Sequence, residues 1–183
     1  MKKLIIIVFA IFVSVCVFAQ TKQHMKFMGV PMGISINSFQ QKLEAKGIKY
    51  DQFASKHFSA DAKKFDGTFA GYQASIYTYY DTKDYNVYRA KAMIERNNLE
   101  QSEQIFNDIL NMLKQKYPDS FSIDTSNDYK GTSIYTNLGR IDCYISRVKG
   151  DLANLYKDRY YVSVDYWDSK TVNQHENNRM DDL

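Results

Sequence analysis

The sequence predicts an α+β protein: an antiparallel β-meander sheet, or two, with two main helices packed on one face, the helix and its meander forming two similar units in tandem. Three observations predict it. Apolar residues recur at helical spacing in two separated stretches, Phe39 with Leu43, and Ile105, Ile109 and Leu113. The runs after each stretch alternate with period two, as in Ile76-Tyr77-Thr78-Tyr79-Tyr80 and Ile141 to Val148. Short turn-forming segments such as Gly71 to Gln73 and Thr82 to Asp84 separate these runs, and connections so short join only antiparallel neighbours.

The elements follow in order. Lys2 and Lys3, the apolar run Leu4 to Val13, and Val17-Phe18-Ala19 before Gln20 predict a cleavable secretory signal over residues 1–19, its apolar core too short to span a bilayer. Residues 20–183 then form a single α+β domain, with halves at 34–96 and 98–168 and a polar tail at 169–183. Thr21 to Gly33 is short and irregular, a candidate edge strand in which Met25, Phe27 and Val30 alternate loosely. Asn37 with Gln40 three residues on predicts a capping box and a helix over Ser38–Lys46. Gly47 ends that helix, supplying a left-handed residue, and Ile48 falls where it closes onto Leu43.

The polar residues through Lys64 predict a loop or a short helical turn. From Phe65 the period becomes two, with Phe65, Gly67 and Phe69 on one side, Ile76, Thr78 and Tyr80 opposing Tyr77 and Tyr79, and a third strand from Val87 to Ile94. Asn98 opens the stronger helix, whose broad apolar face includes Phe106 and Leu110 and is extended by Met112 and Tyr117 before Pro118 stops it. Glu100 and Glu103 at its start, and Lys114 and Lys116 at its end, complement the helix dipole by about 0.5 kcal/mol each. Strand signals resume at Phe121 to Asp124, Ser133 to Leu138, Gly139 to Val148 and Tyr160 to Trp167. In the tail, Val172, Met180 and Leu183 share one side of a marginal helix.

Composition excludes several functions. The formal charge of the whole chain is +3, and the loss of Lys2 and Lys3 with the signal leaves +1. No basic run exceeds Lys63-Lys64, so neither a nucleic-acid footprint nor a polybasic membrane patch is expected, and no transmembrane segment remains after cleavage. Val15 before Cys16 argues against lipid anchoring. Cys143, alternating with Ile141 and Ile145, reads as a buried apolar residue with no base beside it. His24, His57 and His175 have no metal-ligand spacing, and the tail lacks the glycine turn of a calcium loop, so no cofactor is expected.

The stretches His24-Met25-Lys26-Phe27-Met28-Gly29-Val30-Pro31 and Phe65-Asp66-Gly67-Thr68-Phe69-Ala70-Gly71-Tyr72, with the close from Tyr166-Trp167-Asp168 to Asp181-Asp182-Leu183, resemble a group of uncharacterised secreted bacterial proteins. The resemblance implies an address and an architecture and carries no active site. More distantly, the tandem of helix and meander resembles the β-lactamase-inhibitor-protein and outer-membrane-assembly-lipoprotein folds, which implies a binding module.

Aromatic residues set the functional expectation. Fifteen tyrosines, eleven phenylalanines and one tryptophan exceed what one small core uses, so some rings point away from the helices. Tyr77, Tyr79, Tyr161 and Trp167 are the candidates for an open face that anchors another protein or stacks on a glycan, against plain cross-strand packing. Asp165 and Asp168, flanking Trp167, are the candidate acid/base pair of a hydrolase, but three residues apart across the end of a strand they are better accounted for as solvent-facing residues that cap the tail. The expected protein is exported, periplasmic or secreted, without catalysis, and acts on a protein partner at the cell envelope; glycan binding is the alternative and a hydrolase the third.

Overall fold

A computed structural model of the chain describes residues 23–118, 121–122, 125–126, 129–150 and 158–180. The described chain begins with the hairpin β1 (Lys26–Phe27) and β2 (Val30–Pro31), then α1 (Ile36–Glu44), β3 (Lys49–Asp51), α2 (Gln52–Phe58), β4 (Ala62–Phe69), β5 (Tyr72–Tyr80) and β6 (Val87–Arg96). The second half follows as α3 (Leu99–Lys116), β7 (Phe121–Ser122), β8 (Thr125–Ser126), β9 (Tyr129–Thr136), β10 (Gly139–Val148), β11 (Arg159–Asp168) and α4 (Ser169–Met180). No described helix is long and apolar enough to cross a membrane.

The two meanders form one continuous antiparallel sheet in the order β3-β4-β5-β6-β11-β10-β9-β7, with β8 also on β9. The last strand of each half is its innermost, so the halves meet where β6 pairs with β11, in register from Arg89↔Trp167 to Arg96↔Tyr160. Side chains of registered partners share a face, and this fixes the rest. On one face lie Phe65, Ile76, Ala92, Val164, Cys143 and their neighbours, and α1 and α3 close over them: Phe39, Leu43, Ile105, Phe106 and Ile109 join the same buried cluster. Each fully buried Phe, Leu, Ile or Val side chain among them contributes about 1.5–3 kcal/mol by leaving water. Cys143 is fully buried here, and burial pushes its thiol up to about 12, which leaves it protonated and unreactive at neutral pH.

Several boundaries move for identifiable reasons. The first helix begins at Ile36, two residues ahead of the expected start, because Ile36 is itself buried and the Ser35 hydroxyl, accepting from the Ser38 amide, is the cap. Asn37 therefore lies within the helix, and its side chain accepts from Lys63 Nζ at 3.1 Å instead of capping. Gly47 adopts φ +82° as expected, and the Ile48 amide returns to the Leu43 carbonyl at 3.2 Å. Met112 is 46 % exposed and does not extend the buried stripe of α3. The amino end forms a separate hairpin, not an edge of the main sheet, and buries Phe27 and Met32 in the core. Within 53–64 there is a true helix, α2, capped by Asp51 through the Ala54 amide, and β4 starts three residues early, at Ala62. The tail is helical through Met180, but Met180 is 69 % exposed, and Leu183 lies outside the described residues. Asp124 also lies outside them.

Gly139, at the start of β10, is required by a close approach. A Cβ there would stand 1.9 Å from the Trp167 carbonyl oxygen of β11. Gly139→Ala is expected to cost about 2–3 kcal/mol, because two paired backbones have to move apart. The check is a lowered urea midpoint at unchanged slope, with faster amide exchange in β10 and β11 than in β4 and β5.

Candidate functional site

The face opposite α1 and α3 is built by the alternate residues of the same strands. β5 contributes Tyr77 and Tyr79, β6 Arg89, Lys91 and Met93, β11 Tyr161, Ser163, Asp165 and Trp167, and β10 Arg140, Asp142 and Tyr144. The cross-strand rows run Tyr79-Arg89-Trp167-Arg140 and Tyr77-Lys91-Asp165-Asp142, aromatic and charged residues side by side. All four aromatic residues singled out from the sequence thus project from one face, and all four are half-buried.

They divide into two groups. Tyr79 and Trp167 hold Arg89 between them, its guanidinium carbon 4.6 Å from the Tyr79 ring centre and 4.1 Å from that of Trp167. Arg89 in turn grips Asp165, with Nε 2.9 Å from Oδ1 and Nη2 2.5 Å from Oδ2. Asp165 is only 2 % exposed, so burial pushes its carboxyl above the usual range even though Arg89 pulls it back. At Arg89 the carboxylate outweighs burial and holds the guanidinium more firmly protonated. Arg140 also lies over Trp167, 5.3 Å from the ring centre, and Lys91 lies over Tyr144 at 5.1 Å. Beneath these long side chains Ser163 is fully buried, and its hydroxyl and the Trp167 indole N–H have no hydrogen-bond partner among the described residues.

The second group is a hollow. Tyr77 and Tyr161 line a depression of about 370 Å³ with Met93 and Val148, and the Glu95–Arg159 ion pair, 3.5 Å apart, closes one side. Beside it, Phe58 of α2 leans on the Tyr77 ring at 4.9 Å and approaches Tyr79 at 6.4 Å.

Asp165 and Asp168 do not form an acid/base pair. Three residues apart on one strand, they point to opposite faces, and neither meets solvent: both are buried, Asp168 completely. Asp168 caps α4 through the Thr171 amide, as a tail cap should, and also accepts from the Met25 amide at 2.7 Å and meets His24 Nδ1 at 2.8 Å. His24 and His175 are accordingly structural residues rather than idle surface ones. His175 stacks on Tyr88, centres 4.2 Å apart, and its Nδ1 lies 2.8 Å from Asp81 Oδ2. Hydrogen bonds from the Lys83 amide, His175 and Asn178 hold Asp81 below the usual carboxylate range against the burial that would raise it. His57 meets the Phe53 ring edge-on at 4.7 Å. Among the described residues no three His, Cys, Asp or Glu side chains are grouped so as to hold a metal ion.

Sequence reasoning missed Arg89, Asp165 as its partner, and Met93. A signal for two of them was present: Arg89, Lys91 and Met93 alternate with Ala90 and Ala92, which places the long side chains of that strand on the face away from the small, helix-covered ones. The chain matches no family model, no curated protein and no solved structure.

Proposed function

We propose that the protein is an exported binding module of the cell envelope that engages another protein through the uncovered face of its sheet and performs no covalent chemistry of its own. The observation that carries this reading is the hollow between Tyr77 and Tyr161, apolar at Met93 and Val148 and edged by the Glu95–Arg159 pair. A depression of that kind receives one buried anchor side chain, while the tyrosines and ion pair at its rim exclude water. The rest of the face includes Arg89, Arg140, Tyr79, Tyr144 and Trp167, residue types enriched at protein interfaces. Its charges are matched in pairs, Arg89 with Asp165 and Lys64 with Asp51 across strands and Arg140 with Asp142 along β10, which disfavours a polyanionic ligand.

Glycan binding is the second reading, favoured by Tyr135, which is 56 % exposed on the same face. Against it, Arg89 and Arg140 already lie over the Trp167 ring that a sugar would stack on. A photo-crosslinking residue placed at Tyr161 in living cells is expected to trap a discrete protein, and the same residue at exposed Met112 of α3 is not. Met93→Arg, which puts a charge in the hollow, is expected to abolish the adduct, and Tyr161→Ala to weaken binding of the trapped protein by about 2 kcal/mol, roughly thirtyfold. Identical adducts from both positions would overturn this reading, and none from Tyr161 together with glycan-array binding lost in Tyr135→Ala would replace it with the second.

A further inference from the structure

On the helix-covered side of the molecule, away from the hollow, the hairpin, the end of α3 and the turn between β9 and β10 enclose a cavity of about 870 Å³. That is toward the upper end of the volumes of small-molecule sites, about 300–1,000 Å³. Met32, Ile34, Tyr117 and Leu138 give it an apolar lining. Among the described residues its charged lining is of one sign: Lys26 and Lys116 line it beside His24, and no carboxylate does. Neither lysine makes an ion pair among the described residues; Lys116 rests over the Tyr117 ring at 5.2 Å. The end of α3 would by itself present partial negative charge, but Lys114 and Lys116 in its last turn more than offset it. His24, held by Asp168, lies against Gly33, where a Cβ would meet its ring at 2.4 Å, so this wall is fixed by packing.

We propose that this cavity binds a single-chain amphiphile with an anionic head, a free long-chain fatty acid being the type: the acyl chain lies against Met32, Ile34 and Leu138, and the carboxylate meets Lys26 and Lys116 at the mouth. The uncharged half of such a ligand needs the apolar wall, and its charge needs two cations that pair with no carboxylate among the described residues.

The test titrates the exported protein with cis-parinaric acid, a fluorescent linear fatty acid, and in parallel with its methyl ester. Saturable one-to-one binding of the acid is expected, with the ester about tenfold weaker. Lys26→Glu combined with Lys116→Glu, both exposed and so compatible with folding, is expected to weaken the acid by about tenfold or more and leave the ester unchanged. Leu138→Trp, which pushes a larger ring in from the apolar wall, is expected to weaken both, with near-ultraviolet circular dichroism reporting whether the variant is folded. Absence of saturable binding, equal affinity for acid and ester that the lysine variant does not alter, or sedimentation with phosphatidylglycerol vesicles without binding of monomeric acid would each overturn the proposal.

Discussion

Arg89→Ala is expected to lower stability by about 3–5 kcal/mol, the cost of leaving a buried carboxylate without its partner. Asp165 accepts three close contacts from that guanidinium and is 2 % exposed, so water cannot take over the role. Packing adds to the loss, because the guanidinium fills the space between Tyr79 and Trp167. A second substitution separates the terms: Arg89→Met with Asp165→Leu removes both charges while keeping bulk, and is expected to recover most of the stability. If the double variant is as unstable as the single one, the cost lies in packing and the ion pair is not its source.

The acid dependence of that variant has a definite sign. Burial already sets the Asp165 carboxyl above its ordinary value of 3.8 in the folded protein, against the pull of Arg89. An acid whose folded value is raised stabilises the fold below its unfolded value and loses that contribution as pH rises through the folded value. Removing Arg89 removes the opposing pull, so the folded value climbs further and the window widens upward. The stability gap between Arg89→Ala and the parent is therefore expected to be full at neutral pH and to narrow on acidification to about pH 5. Urea midpoints at the two pH values measure it; a gap independent of pH would mean that Asp165 is not the group left stranded.

The fold was legible where local chemistry and tertiary packing agree. Asn98 caps α3 through the Glu100 amide at 2.7 Å, and its apolar stripe is buried at Ile105, Phe106, Ile109 and Leu113, because the spacing that makes the helix amphipathic is also what the sheet requires. The alternation of β5 likewise fixed the side on which Tyr77 and Tyr79 emerge. Legibility failed where a distant partner decides. Asn37 has every local feature of a cap, yet the Tyr85 carbonyl draws the Ile36 amide, and the burial of Ile36 starts the helix earlier. The joining of the halves depends on β6 meeting β11, a pairing across more than sixty positions that no window of sequence encodes. The same distance hid the grip of Arg89 on Asp165, whereas the aromatic residues around it were visible by composition alone.

Asp168 is the point at which both ends of the described chain are fastened, and its loss has the second large expected effect. Its Oδ1 accepts from the Met25 amide, and its Oδ2 from the Thr171 amide and hydroxyl, with His24 alongside. Asp168→Ala removes the cap of α4, worth about 1 kcal/mol, and orphans a buried backbone amide at Met25, worth about 1–3 kcal/mol more. The combined expectation is about 3 kcal/mol, concentrated at the two ends: amide exchange rises in the hairpin and α4 while β5 and β6 hold their protection. Asp168→Asn retains one acceptor oxygen and replaces the other with a donor that opposes either the Met25 amide or the Thr171 amide and hydroxyl, so it is expected to keep one of the two, the helix cap or the Met25 bond, and lose about half as much. Because His24 lines the cavity and takes its position from Asp168, Asp168→Ala is also expected to weaken any ligand held there without touching the hollow at Tyr161 on the other face. Equal disturbance of both faces would show that the carboxylate supports the whole sheet rather than the junction of its two ends.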